Sequence, residues 1–373
     1  WWEGQKTWRG RYDFDRSLCY RLNIDPFAVA DTSACADSQL AAAGGSVKLP
    51  KGYAEYDEHT SWYQYQPFVE VDIKPIEGLT ITPGVKYINW LHKANGLIQT
   101  LIKPYTGSFT TEKTLPFLEV NYKITPSWSI YAQYAQGIYV PDIKAFEQKT
   151  GPATGFPDAQ TTTNYQVGTV FYADNFSFDA DLYDIPINNN ISYVSCSTIG
   201  GKTGETCAVN TGRAIYKGVE GQATYAFTGM GGWADGLSVF ANGSIMSAKS
   251  GGLWLKQAPQ WTLAAGVMYK MDGWKFALID KTVGQQFSDN TETQSYKLPA
   301  YSLVNLSAGY SFGMAEVDLS VDNLLNNRSV VALSINDKAY QTNQLLSTNS
   351  YSFQAPRSVM GTIKIHYLSL IHI

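Results

Sequence analysis

Apolar and polar residues alternate strictly over many short segments of this chain. In residues 118–124 every second side chain is apolar, and those between are polar. The same pattern recurs around Phe178, Val317 and Val359. Because a period of two places successive side chains on opposite faces of a strand, each segment predicts a β-strand with two different environments.

The alternating segments have a common length. They carry about 10–14 residues, longer than the usual soluble strand of about five or six, and suitable for a tilted transmembrane strand. We predict about fourteen strands, a number compatible with the layout of such barrels. Their predicted bounds are 1–13, 60–74, 78–93, 114–125, 128–140, 161–173, 176–192, 213–228, 236–249, 255–270, 274–288, 300–313, 314–331 and 356–367.

Tight turns and long polar loops alternate between these segments. The predicted turns are 75–77, 125–127, 174–175, 272–273 and a turn near Gly313, and the predicted loops are 14–59, 94–113, 141–160, 193–212 and 332–355. Short connections on one side and long ones on the other are the layout of an outer-membrane β-barrel.

Aromatic residues gather near the tight turns. The members of this group are Tyr122, Tyr225, Tyr269, Tyr310 and Phe312. Amphipathic rings prefer the level of the lipid headgroups, so we predict that they form a girdle at the membrane interface.

Composition supports the same class and excludes others. Aromatic residues make up 14% of the chain and charged residues only 16%, a balance that suits interfacial belts and also carbohydrate binding. No apolar run approaches the roughly 18–20 residues of a spanning helix. The net charge of -4 offers no basic surface to nucleic acid. Residue 1 is Trp rather than Met, and the first residues lack the charged and apolar regions of an export signal, so we expect that any such signal is missing from this sequence.

Several segments resemble motifs of TonB-dependent outer-membrane receptors of the siderophore-receptor type. They are LTITPGVKY (79–87), the hairpin at 114–134, AIYKGVE (214–220), LPAYSLVNL (298–306), VDNLLN (321–326) and a closing strand at 355–367. The corresponding family motifs include LTLTPGLRY, ARSRGVE, LPAYTLVDL and VDNLFD. The matches follow the family order, and Tyr367 stands where the family has its terminal aromatic residue.

The resemblance implies an all-β fold, an antiparallel barrel of 22 strands closed by an N-terminal plug. About fourteen strands are predicted here, so we expect residues 1–367 to be the C-terminal portion of such a barrel, without the plug. We then expect an open sheet in which residues 1–13 do not pair with 356–367. Residues 368–373 are expected to be a non-native or misread extension, the alternative being a short natural periplasmic tail.

The resemblance also implies a function and partners. We expect an outer-membrane receptor, not an enzyme, that actively imports a metal chelate such as a ferric siderophore and binds no covalent cofactor. The implied partners are the TonB–ExbB–ExbD complex through the plug, the barrel assembly machinery, which reads the terminal aromatic Tyr367, and outer-membrane lipid. Two alternatives remain open: a passive fourteen-stranded channel for small solutes, and a soluble β-protein that binds carbohydrate.

Candidate ligand-binding residues are aromatic side chains near the outer ends of strands. Trp8, Trp90 and Tyr139 occupy such positions, and Tyr105 lies in a predicted loop. Aromatic groups suit chelates that carry ring or amide groups. The alternative is that these residues belong to an outer aromatic belt.

The four cysteines form two local pairs, each inside one predicted outer loop. Cys19 with Cys35 and Cys196 with Cys207 therefore predict two disulfides that staple long loops in an exported protein. Metal ligation is the competing interpretation, but no histidine lies near either pair. No other metal motif is present.

Carboxylates occupy the polar positions of several strands. Asp179, Asp181, Asp318 and Asp322 all have this parity. Such residues could form a cation path, but more often they are solvated or paired with basic residues of the barrel wall or a plug.

Overall fold

The computed structural model describes residues 2–10, 56–98, 105–141, 157–195, 206–290, 292, 296–334 and 350–365. The strands in these ranges are β1 (Trp2–Gly10), β2 (Tyr56–Tyr65), β3 (Phe68–Glu70), β4 (Leu79–Ile98), β5 (Tyr105–Thr125), β6 (Trp128–Tyr139), β7 (Gln160–Tyr172), β8 (Phe176–Asn188), β9 (Ile191–Ser195), β10 (Thr206–Asn210), β11 (Ala214–Ala226), β12 (Leu237–Ser250), β13 (Leu253–Trp254), β14 (Trp261–Met271), β15 (Trp274–Val283), β16 (Gln286–Phe287), β17 (Lys297–Leu298), β18 (Tyr301–Phe312), β19 (Ala315–Asp322), β20 (Val330–Ser334), β21 (Ser350–Phe353) and β22 (Ser358–Ile365). One 3-10 helix, Gly232–Gly236, precedes β12.

One large antiparallel sheet dominates the described residues. Fourteen strands follow one another in the order β1-β2-β4-β5-β6-β7-β8-β11-β12-β14-β15-β18-β19-β22, with β3 added to β4 and β13 to β12. The predicted all-β class is therefore confirmed. In the described ranges β1 and β22 stand at opposite ends of the order and do not pair, as expected for an open sheet.

The strand register gives this sheet two chemically different faces. Trp274, Tyr310 and Val317 lie in one cross-strand row and are all exposed. Lys275 and Asp318 lie in the adjacent row, on the opposite face. We call these the apolar face and the polar face.

The apolar face continues across twelve neighbouring strands. Each of them from β4 to β22 exposes a large apolar side chain on it: Val85, Leu118, Ile130, Val167, Leu182, Val219, Ile245, Leu263, Leu278, Tyr310, Leu319 and Ile363. Soluble monomers rarely expose such a continuous apolar surface. We call this sheet the wall. Its apolar face is suited to a nonaqueous environment.

Tight turns join the strands at one end of this wall. The turns predicted at 125–127, 174–175 and 272–273, together with one at Gly313, connect neighbouring strands directly. Asp272 and Gly273 have φ of 51° and 81°, so both adopt the left-handed conformation of a two-residue hairpin turn. Residues 75–77 lie in the connection between β3 and β4.

Two predicted boundaries at the N-terminal side are wrong. Residues 94–113 are mostly strand, because the β4–β5 ladder continues to the Gly96–Tyr105 pair through residues such as Phe109 and Thr110 that favour extended backbone. The predicted strand 60–74 is interrupted at Pro67, which has no N–H to donate to a ladder. β2 therefore ends at Tyr65.

Four other predictions of extended or loop structure also need correction. β14 starts at Trp261 rather than at 255, since Gln257 has a φ of 57° that no regular strand accommodates. β19 ends at Asp322 rather than at 331, because Asn323 has a φ of 52°. The predicted loops 193–212 and 332–355 contain the β9–β10 hairpin and most of the β20–β21 hairpin.

Asn323 fixes the turn that ends β19. Its side chain is 2% exposed, and its Nδ2 donates to the carbonyl oxygens of Asn327 at 2.8 Å and Ala355 at 2.7 Å. Its Oδ1 accepts from the Asn327 N–H at 2.8 Å. One amide thus satisfies three backbone groups and joins the two sides of the connection between β19 and β22.

We predict that Asn323→Ala destabilises the protein by about 3 kcal/mol, because buried backbone groups lose their partner and alanine is strained at this positive φ. The measurement is the denaturant unfolding midpoint of the purified protein. Asn326→Ala is the matched control: Asn326 has a φ of 51° but is exposed and accepts one hydrogen bond, from the Arg357 N–H. Equal effects of the two substitutions would contradict the assigned role.

Candidate functional site: the polar face of the wall

An aromatic group occupies the polar face of β2, β4 and β5 toward the long-loop end. His92 lies 5.7 Å from Trp90, 5.1 Å from Phe109 and 6.4 Å from Trp62 between ring centroids. We call these four residues the Trp–His cluster. They meet because cross-strand pairing places Trp62 opposite His92 and His92 opposite Phe109.

An outer hairpin reaches the Trp–His cluster. Ala208 of β10 is buried and packs against Phe109 and against Ile191 of β9. Asn210 anchors this hairpin, since its Nδ2 donates to the carbonyl oxygens of Asp158 and Asn189. A segment predicted as loop therefore helps to cover the outer end of the polar face.

Of the four predicted ligand-binding residues, Trp90 has the best placement. It belongs to the Trp–His cluster, and its Nε1 is buried without a hydrogen-bond acceptor among the described residues. Tyr139 ends β6, two strands away, and is exposed. Trp8 of β1 pairs with Glu58 of β2, and Tyr105 is the first residue of β5 rather than a loop residue. Strand pairing through Glu58 and Gly96 places Trp8 and Tyr105 in one cross-strand row. That the four residues form one ligand site stays a prediction.

A second feature of the polar face is a recess of about 440 Å³ on β7, β8 and β11. Its lining combines the rings of Tyr183 and Tyr216, the amides of Asn164 and Gln166, Ile185 and Glu220. Directly beside it, Asp181 pairs across the strands with Glu220. We call Asp179, Asp181 and Glu220 the acidic triad.

The acidic triad has little hydrogen-bonding support. Gln222 Nε2 donates to Asp179 Oδ1 at 2.7 Å, and the Tyr131 hydroxyl donates to Asp181 Oδ2 at 3.4 Å. Asp181 is only 9% exposed, and its Oδ1 has no hydrogen-bond partner among the described residues. A buried carboxylate oxygen without a hydrogen bond destabilises the fold. The acidic triad is therefore a candidate binding position on the polar face.

A third feature is an ion-pair network near the tight-turn end. Glu316 accepts from Lys275 Nζ at 2.5 Å and from Lys364 Nζ at 2.9 Å. Lys364 also contacts Asp318 at 2.9 Å. The network joins β15, β19 and β22, so that Asp318 is a partner of a basic residue of the wall. Asp322, the fourth predicted carboxylate, accepts a hydrogen bond from Ser358.

The predicted interfacial aromatics lie on the apolar face near the tight turns. Tyr122, Tyr310 and Phe312 are exposed there, and Tyr225 and Tyr269 occupy the same parity on β11 and β14. Trp128 and Trp274 extend the row, and Trp274 lies 4.7 Å from Tyr310 between centroids. Tyr367 lies outside the described residues.

The cysteines are only partly visible. Cys207 is buried and disulfide-bonded. Its predicted partner Cys196, as well as Cys19 and Cys35, lies outside the described residues, so the pairing stays a prediction.

Sequence reasoning missed His92, Tyr131, Tyr183 and Glu220 as members of the polar face. Parity along a single strand could have placed each of them on that face. The juxtapositions could not be found in this way, because Asp181 meets Glu220 only through the register of β8 with β11. The register of β8 with β11 depends on how these strands pair across the long connection between them, which parity along one strand does not give.

The described residues of the wall also lack two features. No helix there has the length and hydropathy needed to cross a membrane. No three histidine, cysteine or acidic residues in the described ranges are grouped so that they could hold a metal ion.

A broad sheet with an exposed apolar face and a polar face that carries recesses and ion pairs defines a class: the wall of a transmembrane β-barrel. The family follows from comparison with known proteins. The model of the TonB-dependent receptor-like β-barrel matches residues 1–324, so the chain belongs to the TonB-dependent receptors. Barrels of this family lie in the outer membrane, and its members are transporters rather than enzymes.

Solved structures show the same fold. The ferric citrate transporter FecA superimposes with a TM-score of 0.66 at 20% identity, over 84% of this chain and 46% of FecA. The ferric yersiniabactin uptake receptor FyuA of Yersinia pestis gives 0.65 at 17% identity, over 85% of this chain and 48% of FyuA. The copper transporter OprC gives 0.67 at 17% identity, over 85% and 49%. The chain thus spans about half the length of these proteins.

We predict that Glu316→Gln lowers the unfolding midpoint, because Lys275 of β15 and Lys364 of β22 then lose their shared carboxylate. The loss should shrink in about 1 M salt, where charge interactions are screened within about 3 Å. Asp322→Asn, on the same strand and outside the network, is the control. A loss that is independent of salt would contradict an electrostatic role.

Proposed function

We propose that this chain is the lumenal wall of an outer-membrane receptor that imports a metal chelate, most simply a ferric siderophore, with energy supplied through TonB. The observation that carries the proposal is that the sheet exposes its apolar face, whereas its polar face holds the Trp–His cluster, the recess and the ion pairs. In a barrel, the apolar face contacts lipid and the polar face lines the lumen.

The apolar face covers much of the height of an outer-membrane barrel. On β8 it runs from Phe176 beside a tight turn to Leu182, and Asp184 follows. The six residue steps from Phe176 to Leu182 cover about 20 Å along a strand, and a tilt of about 40° reduces this to about 16 Å of the roughly 25 Å apolar band. On β4 and β5, Asn89 and Glu112 of the same parity pair across the strands and are hydrogen-bonded at 2.7 Å.

Family membership supports active uptake over passive diffusion. The solved structures most useful for comparison are described as a ferric citrate transporter, a ferric yersiniabactin uptake receptor and a copper transporter. Their shared cargo is a metal ion or its chelate. We extend that cargo class, and coupling to the TonB–ExbB–ExbD complex, to this protein as part of the proposal.

The Trp–His cluster is the proposed contact for ligand at the outer end of the lumen. It presents aromatic faces and the buried indole Nε1 of Trp90, a hydrogen-bond donor without an acceptor among the described residues. Flat aromatic surface with one polar handle suits the ring and amide groups of many chelates. Trp8, Tyr105 and Tyr139 remain proposed contacts on neighbouring strands.

The functional test is growth under iron limitation of a strain that lacks the gene, supplied with ferric chelates of different chemistry. We expect a defect on at least one chelate, repaired by the complete gene and abolished again when TonB is deleted. Repair that persists without TonB would instead indicate a passive channel. No growth difference on any chelate would contradict the proposal.

Trp90→Ala should weaken binding of the imported chelate about tenfold, the size expected for loss of a central aromatic contact. Affinity is measured by titration of the purified full-length receptor. Trp233→Ala is the control, since Trp233 lies on the 3-10 helix at the tight-turn end and is 71% exposed. Unchanged affinity in Trp90→Ala would remove the Trp–His cluster from the binding site.

A further inference from the structure

The acidic triad differs from Glu316 and Asp318 of the polar face in lacking a cationic partner among the described residues. Glu316 and Asp318 are held by Lys275 and Lys364. Among the described residues, Asp179 and Asp181 accept side-chain hydrogen bonds only from the neutral groups of Gln222 and Tyr131.

The surrounding wall supplies no positive charge either. On the polar face of β6, β7, β8, β11 and β12, no described position is a lysine, arginine or histidine. The lysines of these strands, Lys217 and Lys249, have the parity of the apolar face. Five adjacent strands thus carry three acids and no base toward the lumen.

Repulsion within the triad is built into the register. Asp181 and Glu220 stand directly opposite each other on paired strands, an arrangement of like charges that destabilises a sheet. Asp181 is also nine-tenths buried with one oxygen unpartnered. A cation placed between these carboxylates relieves both costs at once.

The recess beside the triad has the shape of a site for one end of a small amphipathic molecule. Glu220 and the amides of Asn164 and Gln166 make its polar part, and Ile185 with the ring of Tyr216 makes its apolar part. Ile185 and Tyr216 lie farther along β8 and β11 toward the long-loop end. A ligand that enters from outside would meet the apolar part first and the carboxylates behind it.

We propose that this recess binds the cationic end of the imported chelate, so that the receptor prefers a chelate with a protonated amine over an uncharged or anionic one. The proposal deepens the proposed function and rests on it. The carboxylates of the acidic triad supply the charge, and Tyr183 and Tyr216 supply aromatic faces for the ammonium group.

The test uses the purified full-length receptor and three ferric chelates in a tryptophan-fluorescence titration. Ferrioxamine B carries a free ammonium group, its N-acetyl derivative is the same chelate without that charge, and ferric citrate is anionic. We expect the ammonium chelate to bind at least about tenfold more tightly than the acetylated one, and the preference to weaken with salt.

Variants assign the preference to the triad. Asp181→Asn with Glu220→Gln should equalise the two trihydroxamates, whereas Glu119→Gln, another polar-face acid outside the recess, should leave the preference intact. Equal binding by the wild type, no binding of the ammonium chelate, or a preference that survives the double substitution would overturn the proposal. So would a double variant that loses thermal stability but keeps the preference, since the triad would then pair with a basic segment of the receptor itself.

Failure of this inference is distinguishable from failure of the proposed function. If the iron-limited growth test shows TonB-dependent import only of chelates that are neutral or anionic, uptake stands and the charge preference falls. If no chelate is imported, the proposed function falls with it.

Discussion

The hydrogen-bond ladder between neighbouring strands is the constraint on which the rest of this structure depends. In a hydrocarbon environment every backbone N–H and C=O must find a partner inside the protein, because water is absent and each unpaired group costs several kcal/mol. A continuous antiparallel meander meets this demand, and fourteen strands here follow one another without a change of order. Its register then decides which side chains share a face.

That register explains both the membrane character and the candidate site. A shift of one residue between two strands would exchange their faces, moving Leu182 into the lumen and Asp181 into lipid. An unpaired carboxylate in hydrocarbon has a large unfavourable free energy. The shifted register is therefore strongly disfavoured, and the sequence specifies one strand pairing. The same pairing places Asp181 opposite Glu220 and gathers His92 with Trp62 and Phe109.

Alternation within single segments was sufficient to predict the fold class, the number of strands along the wall and the tight turns. It could not locate interruptions that depend on one residue, such as Pro67 or the left-handed Asn323. Nor could it show that residues 94–113 extend a hairpin, since polar strand residues outside the membrane resemble a loop. The polar-face sites were hidden for a different reason: their members come from strands that are far apart in sequence.

The polar face of the described wall carries two kinds of polar group. Near the tight turns, Glu316 links three strands through two lysines, an arrangement that stabilises the wall. Farther along, the acidic triad and the Trp–His cluster leave polar atoms of Asp181 and Trp90 without partners among the described residues. The stabilising ion pairs and the proposed recognition sites therefore lie on different strands of one sheet.

The central claim is that one face of this sheet contacts lipid and the other the lumen, and adjacent alanines on β14 test it most directly. Ala264 has the parity of the polar face and Ala265 that of the apolar face, although the residues are identical. Spin labels attached at cysteines in positions 263, 264, 265, 267 and 268 of the full-length receptor in a bilayer would report collision with oxygen, which concentrates in lipid. The account predicts high oxygen collision rates at 263, 265 and 267, and low rates at 264 and 268. Rates that do not alternate, or that alternate in the opposite sense, would contradict it.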